Sequence, residues 1–249
     1  MSDRFEICHP ITAGREGGWS NHEADPGGET MYGVTEKRWH EYQDKMGMKR
    51  TPVRTITKAQ ALKFYRSEFW DACGAATLFA GVDLAVYDAS VNSGVSRGRK
   101  WLKAAIGSSN HAETVKRICR ARLSFMQSLA IWKTFGKGWG RRVADIEVRG
   151  VAMALAAMGA TEGRIKADAR AEAEAAKKAA KSAGSKAATS AGGAVASGSA
   201  PAVDQAAADP AALWLFGALF LVLAIGAAVM IIRKRVADAR ADAYGKAAA

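Results

Sequence analysis

Residues 166–210 hold 19 alanines, with glycine, serine and lysine between them. Such a low-complexity stretch marks a shift of composition along the chain. It therefore divides the 249 residues into three parts. Residues 1–165 have globular composition, and 211–249 are an apolar run with a basic tail. The Ala-rich part itself has two characters. Residues 166–182 are rich in Ala, Glu and Lys, and Glu174 with Lys178 is a helix-favouring pair. Residues 183–209 read as a disordered Gly/Ser/Ala linker. Taken as flexible throughout, the 45 residues span roughly 37 Å, the length of a tether.

From Ala211 to Ile232 there are 22 residues without a charge. A helix rising ~1.5 Å per residue covers the ~30 Å hydrocarbon core at that length. Pro210 suits a first helical position and Trp214 an interface. One transmembrane helix over 211–232 with a basic tail over 233–249 is expected, a buried core helix being the alternative. Arg233, Lys234 and Arg235 follow the segment, whereas Asp204 and Asp209 precede it. The positive-inside rule then puts the tail in the cytoplasm and the globular part outside. Residues 1–15 carry charges throughout and hold no apolar run, so no signal peptide is expected.

The globular part reads as mainly α. Thr57 with Gln60 resembles a capping box, and Ala61, Phe64, Tyr65, Phe69 and Trp70 follow at helical spacing. Leu78, Val82, Ala85, Val86 and Ala89 make a second stripe. Val115, Ile118, Cys119, Phe125, Met126 and Leu129 predict a third helix, and Val143, Ile146, Val151 and Leu155 a fourth. Alternating strands are absent, apart from room for a small hairpin within residues 17–35.

That glycine-rich region also holds the candidate chemistry. Glu16-Gly17-Gly18-Trp19 stands where a helix is expected to give way to a loop, Asp25 lies nine residues on, and Thr30 five further. Cleavage of a glycosidic bond uses one carboxyl as proton donor and a second group to organise water or attack the sugar. Glu16 is the candidate general acid, since an aromatic such as Trp19 beside it would disfavour its charge. Asp25 is the candidate base or electrostatic stabiliser, and Thr30 a hydroxyl to hold the water. Trp19 and Tyr32 suit stacking on sugar faces or plain packing. Asn92 suits either the cleft floor or a helix-end cap before Gly94. On spacing alone, a turn-rich surface loop is an equal reading of these glycines.

The string Glu16-Gly-Gly-Trp, Asp25-Pro-Gly-Gly-Glu-Thr30, Gly33-Val34-Thr35 resembles the signature of family 108 glycoside hydrolases. These are N-acetylmuramidases of phage endolysins and secretion-associated lysozymes, and Glu16 corresponds to their catalytic glutamate. The Glu-Asp-Thr order also resembles the triad of bacteriophage-type lysozymes, with the Asp-to-Thr gap one residue shorter. Asp83, Asp88-Ala-Ser-Val-Asn92-Ser-Gly94 is similar to the end of the same domain. Residues 96–163, with Trp101-Leu102, Phe125 and Gly138-Trp139-Gly-Arg-Arg-Val-Ala-Asp145, are similar to the predicted peptidoglycan-binding domain that follows it. Pro10 inside the first helix, His22-Glu23-Ala24 before Asp25, and Met31 in place of Asn depart from the pattern.

The resemblance implies a lysozyme-like helical catalytic domain over 1–95 and a helical peptidoglycan-binding domain over 96–165. The Ala-rich linker over 166–210 and the membrane helix complete the expected architecture. The implied activity is hydrolysis of the β-1,4 bond between N-acetylmuramic acid and N-acetylglucosamine. The implied setting is the bacterial inner membrane, single-pass, with the catalytic domain acting in the periplasm. A phage holin is a candidate partner that would give access to the wall.

Charge agrees with an anionic polymer as substrate. The formal net charge is +12, and between Arg97 and Arg142 there are 12 Lys or Arg residues against one acid, Glu113. Nucleic acid competes on charge, but sparse aromatics do not favour single-strand stacking, and none is expected as partner. Cys8, Cys73 and Cys119 are far apart and lack metal spacing, so no metal or cofactor is expected. A non-catalytic peptidoglycan-binding envelope anchor is the alternative function.

Overall fold

The computed structural model describes residues 3–14, 18–20, 28–198 and 210–249, and the side chains of these outside 191–220. Glu16 and Asp25 thus lie outside the described residues. The described chain is mainly α, and it divides into two compact units. One comprises residues 1–122 and 149–159, the other 123–148 and 160–249. Two of the cuts, at 122/123 and 148/149, fall inside helices, and the third, at 159/160, between two helices.

In the first unit, α1 (Arg4–Ala13) starts at Asp3, whose carboxylate accepts from the Phe5 amide at 3.0 Å. Pro10 does sit inside this helix, and the Gly14 amide closes the last turn onto its carbonyl at 2.8 Å. The expected hairpin is present as β1 (Thr30–Met31) and β2 (Val34–Thr35), antiparallel, with Thr30 opposite Thr35 and Met31 opposite Val34. Its turn residues Tyr32 and Gly33 both have positive φ, 52° and 76°, as a two-residue turn of this twist requires. Thr35 then caps α2 (Glu36–Lys45).

Thr57 and Gln60 form the expected capping box at the start of α3 (Lys58–Tyr65). The helix continues as a π-turn over Arg66–Asp71, which turns Phe69 and Trp70 into the core. α4 (Val82–Ser93) is buried over nine consecutive residues, Val82–Ser90, so it is the central helix of the unit. Phe5, Trp70 and Tyr87 meet edge to face around it, with centroids 5.3–5.9 Å apart. Leu78, expected on this helix, lies before it at the end of a 3-10 turn. α5 (Val95–Ala105) packs back on α4, where Gly98 leaves no room for a side chain against Ser90.

Two acids of α4, Asp83 and Asp88, are fully buried. Asp83 accepts from Arg4 through Nε at 2.7 Å and Nη2 at 3.0 Å, and from the Gly81 and Leu84 amides at 2.7 Å each. Asp88 pairs with Arg122 at 2.5 Å, both side chains almost without exposure. Four donors around one carboxylate offset its desolvation, which is why a buried charge is tolerated here.

α6 (His111–Gln127) and α7 (Trp132–Ala157) follow as long helices at the expected stripes, although Leu129 falls beyond α6. Gly81, at φ 86°, lets its backbone meet that of Gly150 on α7; a Cβ there would stand 2.0 Å from the Gly150 carbonyl oxygen.

The Ala-rich segment departs from the expectation of a flexible tether. α8 (Glu162–Gly198) is a helix of 37 residues, about 56 Å long at the helical rise. Its buried positions are Ala169, Ala173, Ala176, Ala180, Ala183 and Ala187, spaced alternately four and three residues apart. This stripe lies against α9 (Pro210–Ala248), running antiparallel: Gly184 faces Lys234, and Gly226 faces Ser190. Alanine has the highest helix propensity, and small residues at every seam position let two backbones approach closely. The seam ends in a polar clamp, where Glu147, 2% exposed, accepts from Arg240 at 2.6 Å and Tyr244 at 3.0 Å.

Among the described residues, no helix is long and apolar enough to cross a membrane. Half of the expected span, 211–220, lies where side chains are not described. The other half packs against α8 along one side, where Ala227 is buried, while Leu221, Val222, Ile225, Val229 and Ile231 are exposed. An isolated lipid-surrounded helix is therefore not what the described portion shows.

Candidate active site

Two helical stripes make the walls of a cavity of about 820 Å³ in the first unit. On α1 they are Glu6, His9, Pro10 and Ala13, at i, i+3, i+4 and i+7; on α3 they are Lys58, Ala61, Leu62 and Tyr65, in the same spacing. The helices run antiparallel. Arg66, just past α3, pairs with Asp3 at the start of α1 and lies over the Phe5 ring at 5.3 Å, whereas Tyr65 meets His9 one turn further along. The C-terminal end of α1 and the N-terminal end of α3 therefore share one end of the cavity.

That end is where the Glu16 loop attaches. Gly14 and Gly18, which bracket Glu16 in the chain, both line the cavity. The Ser20 amide donates to the Thr30 carbonyl at 2.8 Å and the Thr30 amide to the Ser20 carbonyl at 2.9 Å. This bridge closes the base of the segment that carries Asp25. The local reason is the hairpin: β1 offers Thr30 a second edge, and Ser20 occupies it.

The predicted residues distribute as follows. Tyr32 lines the cavity, held by its turn and by the Tyr65 hydroxyl, which donates to the Tyr32 carbonyl at 3.1 Å. Thr30 lies on β1, its hydroxyl donating to the Gly28 carbonyl at 3.2 Å. Trp19 is 53% exposed. Asn92 is not among the cavity-lining residues; its side-chain oxygen accepts from Arg122 Nη2 at 3.0 Å. Glu16 and Asp25 lie outside the described residues.

Sequence reasoning passed over His9. It is buried, its Nδ1 is 2.7 Å from the Tyr87 hydroxyl, and its ring lies 5.0 Å from those of Phe5 and Tyr65. Burial, with Lys58 nearby, pushes its pKa down to about 4, so the ring is neutral at pH 7. Its signal in the chain was the spacing to Glu6 and Ala13 on the face that leads to Glu16. Cys8 is also buried, and burial pushes its thiol up to about 12, which makes it inert. Among the described residues no group of His, Cys, Asp or Glu is arranged to hold a metal ion.

The glycosyl hydrolase 108 family profile matches residues 10–94, which span the last turn of α1, the Glu16 segment, the hairpin and all of α3. Residues 10–94 are a glycosyl hydrolase 108 domain. Through this domain the chain is a glycoside hydrolase. It is also similar to the solved structure of Brucella abortus SagA, with a TM-score of 0.54 and 29% identity over 62% of this chain and 97% of that one. No curated protein matches the chain.

Proposed function

We propose that this glycoside hydrolase is an N-acetylmuramidase that cuts the β-1,4 bond between N-acetylmuramic acid and N-acetylglucosamine in peptidoglycan. The observation that carries the reading is the cavity flanked by Gly14 and Gly18, within the matched domain, at the attachment of the Glu16 loop. Glu16 protonates the leaving oxygen. Asp25 activates or positions water, or stabilises the developing positive charge on the sugar, with Thr30 orienting the water. Tyr32 forms part of the sugar-contacting wall. Residues 96–165 supply wall affinity, in keeping with their basic character.

The full chain should clear a suspension of purified peptidoglycan and release reducing ends. Glu16→Gln should lower the rate about a thousand-fold, the scale of a lost general acid. Undiminished turnover by that variant would exclude the mechanism, and sedimentation with the wall without new reducing ends would favour a non-catalytic anchor.

We also place the chain at the bacterial inner membrane, held through the 211–232 segment, with the hydrolase acting in the periplasm. The support is the uncharged run and the basic residues after it. A holin is the partner that would open the route in a phage setting. Protease added to intact spheroplasts should digest the hydrolase; its protection would place it in the cytoplasm.

A further inference from the structure

The N-terminal half of α7, in the second unit, lines no part of the cavity described above. Residues 131–142 hold Lys133, Lys137, Arg141 and Arg142 and no acid. The first acid on the helix is Asp145, one turn beyond Arg141. Ile131 stands at the N-cap, its carbonyl accepting the Phe135 amide at 3.1 Å. No acid occupies the first turn, so the positive end of the helix dipole is not offset by its own side chains.

Helical periodicity sorts this stretch into sides. Trp132, Gly136 and Gly140 are buried, and the Trp132 ring lies so close to Gly136 that a Cβ there would stand 2.5 Å from it. Ile131, Phe135 and Trp139, spaced i, i+4 and i+8, form an apolar row along one edge of the exposed side. Ile131 is 51% and Phe135 52% exposed, and the Phe135 and Trp139 rings stack with centroids 5.8 Å apart. Lys133, Lys137 and Arg141, in the same spacing, form a basic row along the other edge, and all three are exposed. The small residues Thr134 and Gly138 lie between the rows. Contiguous exposed apolar groups mark a binding surface, as scattered ones do not.

We propose that this face of α7 docks on an anionic phospholipid surface, the apolar row entering the boundary between headgroups and acyl chains and the basic row meeting the lipid phosphates. Charge complementarity favours that occupant. The long lysine and arginine stems carry their charges to the phosphate level while the apolar row sinks below it. A sugar polymer fits less well, because sugar hydroxyls are gripped by carboxylates and amides, and residues 131–142 contain no Asp, Glu, Asn or Gln. A nucleic acid would answer the cations but leave the aliphatic Ile131 in water. The docking is peripheral, and it rests neither on the muramidase reading nor on the 211–232 segment.

The test is flotation of the full chain with phosphatidylcholine vesicles, with and without phosphatidylglycerol. Adding phosphatidylglycerol should raise the partition coefficient about a hundred-fold, at about five-fold per cation of the basic row. Lys133→Gln, Lys137→Gln and Arg141→Gln together should remove most of that gain. Ile131→Ser with Phe135→Ser leaves the charge untouched and should lower binding to the anionic vesicles about thirty-fold. All five side chains are exposed, so an unchanged melting temperature is expected and separates binding from folding. Lipids with brominated acyl chains give a second readout at a single residue. They should quench the tryptophan emission of the wild-type chain, and Trp139→Phe, which keeps the apolar row, should reduce that quenching. Trp214 is common to both proteins, so insertion of the 211–232 segment cancels in the comparison. No binding by the wild-type chain, equal binding by the serine variant, or equal quenching with and without Trp139 overturns the proposal. So does a serine variant that keeps its vesicle binding but no longer sediments with purified peptidoglycan, which gives the face to the wall, or one that turns a dimer into a monomer without lipid, which gives it to a second copy.

Discussion

At pH 7 the His9 ring is neutral because its surroundings of Phe5, Tyr65 and Tyr87 offer little to solvate a charge. Folding therefore works against protonation. In the unfolded chain the group titrates near its ordinary 6.5, and in the native state near about 4. Between these values the unfolded chain takes up a proton that the native state refuses, so stability is full above ~6.5 and falls as pH drops toward about 4. Melting curves from pH 7 to 4.5 should show this decline, and His9→Gln should flatten it; an equally steep decline in the variant would refute the assignment. Asp3 and Asp44 do not confuse that window, since their arginine partners hold them below the usual carboxylate range. Asp83 is the opposite case, a charge that stays buried because four donors surround it. Asp83→Ala leaves the Arg4 guanidinium and two amides unanswered, and urea unfolding should register a loss of about 3 kcal/mol. Asn92→Ala removes one acceptor from Arg122 and should cost about 1 kcal/mol in the same measurement.

Among the elements, the junction before α4 and the α8–α9 hairpin are the most sensitive to side-chain volume. Gly81 combines a positive φ with a backbone contact that no Cβ fits. Gly81→Ala should therefore destabilise the first unit by more than about 2 kcal/mol, seen as a lowered urea midpoint with an unchanged slope. In the hairpin, the buried alanines of α8 set the separation from α9. Ala176→Leu inserts a branched side chain into that seam and should cost about 1–3 kcal/mol, readable as an earlier loss of helical signal on heating. The Ala-rich composition correctly announced helix over 166–182 but concealed the helix that continues to Gly198. Glycine and serine lower intrinsic helicity, and it is burial against α9 that offsets this.

Across the whole molecule, the net charge of +12 acts before any single contact forms. An anionic wall polymer is drawn to such a chain over about 8–10 Å at physiological ionic strength, and over much less when salt is raised. Wall affinity measured by sedimentation should thus fall steadily from low to high salt, while the melting temperature changes little. Affinity insensitive to salt would mean that stacking and apolar contact dominate instead. The charge is carried heavily by residues 97–142, where the sequence alone showed the imbalance.

What the sequence determined by itself was local or repetitive. The capping box at Thr57, the room for a small hairpin within residues 17–35, the helical stripes and the hydrolase signature around Glu16 are written within a few residues of one another, so short-range sterics and hydrogen bonding suffice to read them. Tertiary structure alone decided the partners of Asp83 and Asp88, 79 and 34 residues away, and the neutral state of His9. It also decided that two separate stripes, on α1 and α3, face each other as one groove, and that the alanine segment is half of a hairpin. Burial and pairing depend on groups distant in the chain, and no local pattern records which of them folding will bring together.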